Sequence, residues 1–225
     1  MGRPLRTSAG GYVYHALNRG NGRETVFYKD GDYLAFLRVL AQTQEHVPGV
    51  RLLAYCLMPN HWHLVLWPHK DGELSDFMHW LTLTHTQRWH AHYQNVGTGH
   101  LYQGRFKSFP IEADDHYLTL CRYVERNALR AGLSDRTEAW RWSSLAQRRG
   151  QAGPDLPMLA DGPVPWPRHW VRMVNAAQTE SEVAARQRCI ERGQPYGHEA
   201  WTKRTAARLG LVSTLRARGR PKKIA

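Results

Sequence analysis

The chain has 225 residues, 42% of them hydrophobic and 22% charged, and its 31 Lys and Arg residues against 19 Asp and Glu residues give a formal net charge of +12. This length and composition exclude a chain that is disordered over most of its length, and the absence of any apolar run near roughly 18 residues argues against a membrane-spanning protein. Because 25 of the basic residues are Arg, whose planar guanidinium matches phosphate and stacks on bases, the charge favours nucleic acid as the partner over a basic protein that is merely soluble.

The cysteines and the start of the chain bear on its compartment. Cys56, Cys121 and Cys189 are odd in number and far apart, which predicts reduced thiols, and the lack of a CxxC pair excludes a zinc ribbon. No apolar stretch follows the basic residues at the start of the chain, so we expect no secretory signal and a cytoplasmic protein.

Apolar periodicity predicts the elements of an α+β domain in chain order. The first are a strand at residues 11–19, an amphipathic helix at 32–46, and two strands at 50–58 and 61–67 joined by Pro59-Asn60. They are followed by a helix at 74–93, a strand at 105–111 whose Pro110 requires a sheet edge or bulge, and a helix at 114–131 that begins at Asp114 and Asp115 and ends at Gly132. This order predicts an antiparallel sheet with helices packed on it.

The rest of the chain divides at a proline-rich segment. Residues 150–167 contain five prolines and predict a connection between a domain at residues 1–149 and an extension at residues 168–225. Helical patterns at 179–191 and 198–209 lead into a tail that has eight basic and no acidic residues from Lys203 onward. Such a tail predicts an arm that binds phosphates, so the extension is a candidate DNA-binding unit.

His61 and His63 form the first candidate chemical site. Side chains at positions i and i+2 of a strand project to the same face, so the two imidazoles can bind one metal ion while Trp62 points to the opposite face. Two half-exposed histidines without a chemical role would have the same spacing. The pair alone therefore leaves both interpretations open.

The helix at residues 114–131 carries the second candidate group. Tyr123 and Asn127 are four residues apart and share a face, whereas an apolar stripe on the same helix is assigned to the core and consists of Tyr117, Cys121, Val124 and Ala128. The carbonyl oxygen of Asn127 would complete, with the two histidines, a mixed nitrogen and oxygen metal site with open positions for water and phosphate. For Tyr123, an ordinary half-buried ring is the alternative.

Candidate phosphate ligands lie near the last strand and at both ends of the chain. Arg105 and Lys107 share a strand face, and a solvated strand edge is the alternative for them. Short basic segments with Gly-Arg-Pro can place Arg side chains in a minor groove, and a solvated charged terminus is the alternative. The residues concerned are Arg3, Arg218, Arg220, Lys222 and Lys223.

Four motifs in this order resemble those of the REP-associated tyrosine transposases, a branch of the single-tyrosine HUH transposases. They are YCLMPNHWHLVLWP (55–68), HLYQGRFKS (100–108), DDHYLTLCRYVERNALRAGL (114–133) and WRWSS (140–144). The two ends of the chain look like the same family, so the resemblance spans nearly the whole chain. It implies a ferredoxin-like HUH fold, recognition of hairpins in repetitive extragenic palindromes, and cleavage of single-stranded DNA that depends on a divalent metal, Mg²⁺ or Mn²⁺.

The resemblance also implies roles for individual residues. His61 and His63 match the HUH histidines, Tyr123 matches the nucleophile, and Asn127 matches the third metal ligand, which lies on a helix. The family commonly has Asn-Pro at this point, whereas here Ala128 follows Asn127, which leaves the helix freer to continue. An amide oxygen with open phosphate positions suits a hard ion, although zinc can also bind two imidazoles.

Taken together, these features predict a single-stranded DNA transposase and endonuclease. We expect it to cleave and rejoin DNA near hairpins through a covalent 5′-phosphotyrosine, as a monomer or weak homodimer in a prokaryotic cytoplasm, bound to the nucleoid and not to a membrane. A domesticated, non-catalytic protein that binds hairpin DNA or RNA is the alternative. The complete set of His61, His63, Tyr123 and Asn127 favours the enzyme, because a binding module has no use for it.

Overall fold

A four-stranded sheet in the order β2-β3-β1-β4, with every neighbouring pair antiparallel, is the centre of the fold. The computed structural model describes residues 8–97, 99–150 and 155–216. The strands are β1 (Val13–Arg19), β2 (Val50–Met58), β3 (His61–Pro68) and β4 (Lys107–Ile111). A helix follows β1 and another follows β3, so the element order is the β-α-β-β-α-β of a ferredoxin-like fold. The predicted fold class is therefore confirmed.

Two long helices cover one face of the sheet. They are α1 (Asp30–His46) and α2 (Glu73–Tyr93). Alternate residues of β3 point towards them, and Trp62 is fully buried against Phe36 at a ring-centroid distance of 5.7 Å. The other residues of β3 are left to face the opposite side of the sheet.

Five of the described helices in the second half of the chain pack on that opposite side. They are α3 (Asp115–Glu125), α4 (Asn127–Arg130), α5 (Ser144–Arg148), α6 (Trp170–Asn175) and α7 (Glu180–Arg192). The last long helix, α8 (Glu199–Arg208), contacts Tyr12 through Trp201. As predicted, Asp114 caps α3, since its carboxylate accepts a 2.8 Å hydrogen bond from the His116 backbone N–H, and Gly132 has a positive φ of 68° just after α4. The single helix predicted over residues 114–131 is wrong, because Arg126 separates α3 from the one-turn α4.

Segments from the second half of the chain also cover both edges of the sheet. On the outer side of β2, the backbone N–H of Leu57 donates to the Trp142 carbonyl, and that of Ala160 donates to the Leu52 carbonyl, each at 2.9 Å. On the outer side of β4, the Tyr196 backbone N–H donates to the Pro110 carbonyl at 2.9 Å, which places Pro110 on an edge strand as predicted. These contacts protect strand edges that would otherwise expose unpaired backbone groups. The division at residues 150 and 167 stays a prediction.

No helix in the described ranges is both long enough and apolar enough to cross a membrane. The three cysteines are buried and unpaired.

Candidate active site

Two strands and one helix bring aromatic side chains together on the face of the sheet opposite α1 and α2. The rings of His61 and His63 on β3 have centroids 5.0 Å apart, and the ring of Tyr123 on α3 lies 5.8 Å from that of His63. Trp62 lies on the other face, in the core formed with α1 and α2. The strand alternation that the sequence suggested therefore places both imidazoles beside the phenol.

His15 on β1 belongs to the same group, although the sequence analysis did not single it out. Its Nε2 lies 2.9 Å from Nδ1 of His63, and the two rings are nearly parallel at a centroid distance of 5.1 Å. The side chain is fully buried. Its position follows from the pairing of β1 with β3, in which Leu17 lies opposite His63 and His15 opposite Val65.

Burial keeps the three imidazoles neutral near pH 7. It lowers the pKa of His15 to about 3. Burial, helped by the cations Arg19 and Arg130, lowers the pKa of His61 to about 4. The pKa of His63 also lies well below its ordinary value, first because of burial and then because of the neighbouring histidines and arginines. A neutral imidazole is the form that binds a metal ion.

The nitrogen atoms of His61 and His63 fit a divalent metal. Nδ1 of His61 lies 2.6 Å from Oδ1 of Asn60, so this nitrogen carries the proton and Nε2 keeps its lone pair. Nε2 of His63 is buried and has no hydrogen-bond partner among the residues that the structure describes. If Nδ1 of His63 donates to His15, the unpartnered nitrogen is the one that can bind an ion.

Asn127, the predicted third ligand, lies beside the candidate site and is hydrogen-bonded to its neighbours. It is 1% exposed and does not line the cavity beside the histidines. Its Nδ2 donates to the Tyr123 carbonyl at 3.0 Å, and its Oδ1 accepts a 2.7 Å hydrogen bond from Arg130. The carbonyl oxygen thus already accepts a hydrogen bond from a cation, and the role of Asn127 as a metal ligand stays a prediction.

Two guanidinium groups enclose the Tyr123 ring. Arg130 of α4 donates from Nη2 to the Tyr123 hydroxyl at 3.3 Å, and its guanidinium carbon lies 4.7 Å from the ring centroid. The guanidinium carbon of Arg186, on α7 of the extension, lies 5.1 Å from the same centroid. Arg186 is fully buried, and burial lowers the pKa of its guanidinium. Tyr123 itself is only 4% exposed.

A cavity of about 430 Å³ opens beside these side chains. Its wall includes His61, His63 and Tyr123 together with four cationic residues, which are Arg19, Arg105, Lys107 and Arg130. Arg105 precedes β4, so it does not share a strand face with Lys107 as predicted, but both residues line this cavity. Phosphate binding by the two stays a prediction. The other predicted DNA-binding residues lie outside the described residues, and they are Arg3, Arg218, Arg220, Lys222 and Lys223.

The fold and the paired histidines beside a helical tyrosine point to a class of DNA-processing proteins, and a comparison with protein families agrees. The model of the family "Transposase IS200 like" matches residues 8–127, which is more than half of the chain. The chain therefore belongs to the IS200-like transposase family, as the motifs predicted.

Two solved structures are similar to the chain. One is described as the structure of the REP-associated tyrosine transposase bound to a REP hairpin, with a TM-score of 0.53, 17% identity, and coverage of 72% of this chain and 94% of that chain. The other is a putative transposase from Deinococcus radiodurans R1, with a TM-score of 0.40, 18% identity, and coverage of 56% and 95% respectively. The first of them shows that the two proteins share a fold. No protein of curated function matches the sequence.

Proposed function

We propose that this IS200-like transposase cleaves and rejoins single-stranded DNA beside a hairpin, with Tyr123 as the nucleophile. The observation that carries the proposal is the convergence of Tyr123, His61 and His63 on one cation-lined cavity, with the His63 and Tyr123 rings 5.8 Å apart. Hairpin DNA as the substrate is supported by the similar solved structure, which is described as a REP-associated tyrosine transposase bound to a REP hairpin.

In the proposed reaction, the Tyr123 hydroxyl oxygen attacks the scissile phosphorus. The new phosphorus–oxygen bond forms as the bond to the 3′-oxygen breaks, the phenolic proton is lost to water, and the departing 3′-oxygen gains one. The products are a 5′-phosphotyrosine and a free 3′-hydroxyl. Because the covalent intermediate retains a phosphodiester, a second 3′-hydroxyl can attack it and rejoin the strands without a further energy source.

The surrounding residues prepare the nucleophile and the phosphate. His61 and His63 would hold a divalent ion, Mg²⁺ or Mn²⁺ as the family resemblance implies, which would withdraw charge from the phosphate and orient it. If Nδ1 of His63 donates to Nε2 of His15 across their 2.9 Å contact, His15 would hold His63 in the tautomer that leaves its Nε2 free for the ion. Arg130 holds the Tyr123 oxygen in position.

The cations around the cavity would bind the DNA backbone. Arg19, Arg105 and Lys107 line the same wall as the histidines, so a strand that enters the cavity meets positive charge before it reaches Tyr123. Each phosphate that is neutralised on a single strand contributes roughly −0.7 to the slope of the logarithm of the affinity against the logarithm of the salt concentration. We therefore expect hairpin affinity to fall steeply as salt rises, with the basic tail beyond residue 216 adding to the slope.

A non-catalytic hairpin-binding protein is the second candidate. It is favoured by the 4% exposure of Tyr123, which leaves little of the ring in contact with solvent, and by the hydrogen bond from Arg130 to Asn127, which occupies the oxygen expected to bind the metal. This candidate retains DNA binding and has no need of the two histidines.

The histidine pair separates the two candidates. In the double variant His61→Ala and His63→Ala we expect cleavage of a hairpin oligonucleotide with Mg²⁺ or Mn²⁺ to be lost, while hairpin binding in a gel-shift titration is retained. His69→Ala is the matched control, because His69 is exposed and lies just beyond the same strand. Undiminished cleavage by the double variant would remove the histidine pair from the mechanism, and no cleavage by the unaltered protein would favour the binding protein.

A further inference from the structure

A second group of potential metal-binding side chains lies where the segment before α8 meets the connection between β4 and α3. Glu112, Asp114 and His116 belong to the β4–α3 connection and the start of α3, and His198 immediately precedes α8. One potential ligand atom from each residue lies within 4.8 Å of the others. None of the four lines the cavity with His61 and His63, so the group is separate from the candidate active site.

The backbone fixes both carboxylates of this group. Asp114 caps α3 through the His116 backbone N–H at 2.8 Å, and the same oxygen lies 2.9 Å from Nδ1 of the His116 ring. Glu112 accepts a 2.7 Å hydrogen bond from the backbone N–H of His198. Backbone hydrogen bonds therefore hold both carboxylates in place.

The imidazoles complete the group from two different parts of the chain. The rings of His116 and His198 have centroids 4.6 Å apart, and Nε2 of His198 lies 3.4 Å from the second oxygen of Asp114. Two imidazole nitrogens and two carboxylate oxygens are a donor set that Zn²⁺ binds in four-coordinate sites. Four ligand atoms that bind one zinc ion at about 2.0–2.2 Å in a tetrahedron lie about 3.4 Å from one another. The atoms here lie within 4.8 Å of one another, so a small closing movement would let them bind one ion.

We propose that Glu112, Asp114, His116 and His198 form a second divalent-metal site, suited to Zn²⁺, that fastens the extension to the catalytic domain. The position of the site gives it this structural role. Only two residues before His198, Tyr196 pairs through its backbone with the outer side of β4, and α7, which precedes Tyr196, carries Arg186 over the Tyr123 ring. An ion that joins both parts of the chain stabilises the folded arrangement of these elements.

Zinc binding to the full chain tests the proposal by isothermal titration calorimetry. The parent protein for the titration, called the background protein, carries His61→Ala and His63→Ala. Zinc that binds to it therefore binds at the second site, and the result does not depend on the proposed catalytic role. We expect the metal-free background protein to bind one Zn²⁺ per chain, and we expect His116→Ala with His198→Ala added to it to lower the affinity by roughly tenfold or more. His100→Ala, which replaces an exposed histidine outside the group, is the control and should leave the affinity unchanged.

A single exposed substitution keeps the test independent of folding. The His198 side chain is 73% exposed, so His198→Ala in the same background should fold normally and still lose roughly tenfold or more in zinc affinity. Zinc should also raise the thermal unfolding midpoint of the background protein and not that of the variant without His116 and His198. No stoichiometric zinc binding in the background, or equal affinity after His116 and His198 are replaced, would overturn the proposal.

Discussion

The contacts of Tyr123 with two guanidinium groups indicate how its hydroxyl would be held for the proposed attack. Arg130 contacts both the Tyr123 oxygen, at 3.3 Å, and Oδ1 of Asn127, at 2.7 Å. A side chain that holds the attacking oxygen and also faces the negative charge of an incoming phosphate contributes to orientation and to transition-state stabilisation. We therefore regard Arg130 as a positioning residue for the nucleophile.

Arg130→Gln should lower the rate of covalent adduct formation at saturating DNA by roughly tenfold to a hundredfold. Hairpin affinity should change much less, because Arg19, Arg105 and Lys107 still line the cavity. A time course of adduct formation and a separate binding titration measure the two effects. Arg136→Gln is the control, since that side chain is 71% exposed; an unchanged rate together with a loss of affinity would show that Arg130 is only a phosphate contact.

Residues of the site differ in how far the sequence could predict them. The spacing of His61 and His63 gives their shared face, because it is local. The spacing of Tyr123 and Asn127 brings both within reach of Arg130, but only Tyr123 lines the cavity, since α3 ends between them. His15 could not be predicted in the same way, since its contact with His63 depends on the pairing of β1 with β3. Arg186 lies over Tyr123 only because α7 packs there, which no local pattern indicates.

Among the elements, α3 depends on a buried carboxylate as well as on its apolar stripe. Glu125, at the end of α3, is fully buried and accepts hydrogen bonds from Oγ of Ser144 at 2.6 Å and from Nε1 of Trp170 at 2.7 Å. Its carboxylate also pairs with Arg148. One side chain therefore joins α3 to α5 and α6, and it lies two residues after Tyr123.

Glu125→Ala should lower the free energy of unfolding by about 3 kcal/mol, because it leaves the Arg148 cation and the Trp170 N–H without their partner. Glu125→Gln, which keeps an acceptor oxygen, should lose less. Urea unfolding followed by circular dichroism measures both. Asp155→Asn, which breaks an exposed pair with Arg38, should change the value by less than about 0.5 kcal/mol, and an equally small effect at Glu125 would show that this carboxylate does not hold the helices together.

The sequence predicted the long elements well and the short ones poorly. All four strands and the helices α1 and α2 carry enough periodic residues to identify them, with ends that differ by one or two residues. The helices α5 and α6 have five and six residues, too few for a clear period, and tertiary contacts such as those of Glu125 support them. The proline-rich segment was expected to be a connection, yet Ala160 pairs with the edge of β2, a contact between distant parts of the chain that no local pattern indicates.

For the whole molecule, buried histidines couple stability to pH. His85 on α2 is one of these buried histidines and is not a candidate metal ligand. Its ring is buried, and its Nδ1 lies 2.8 Å from the Tyr102 hydroxyl. Burial lowers the pKa of His85 from 6.5 to about 3. The unfolded chain takes up a proton near pH 6.5 while the folded chain resists it, so the free energy of unfolding should fall as pH drops from 6.5 towards 3 and should not depend on His85 above 6.5.

Replacing His85 by Gln should remove this part of the pH dependence. Between pH 7 and pH 4 the free energy of unfolding of the variant should fall by roughly 3 kcal/mol less than that of the unaltered chain, because one pKa unit corresponds to about 1.4 kcal/mol. Urea unfolding at a series of pH values measures the difference. His69→Gln, at an exposed position, should keep the original slope, and an unchanged slope for His85→Gln would contradict the assignment of a buried neutral imidazole.

The proposed reaction requires that Tyr123 becomes covalently joined to DNA. A labelled hairpin oligonucleotide, incubated with Mn²⁺ and either the unaltered chain or Tyr123→Phe, would be separated on a denaturing gel. We expect a covalent protein–DNA band for the unaltered chain and none for Tyr123→Phe, although the variant still binds the hairpin in a native gel. A covalent band of equal strength from Tyr123→Phe would contradict the account.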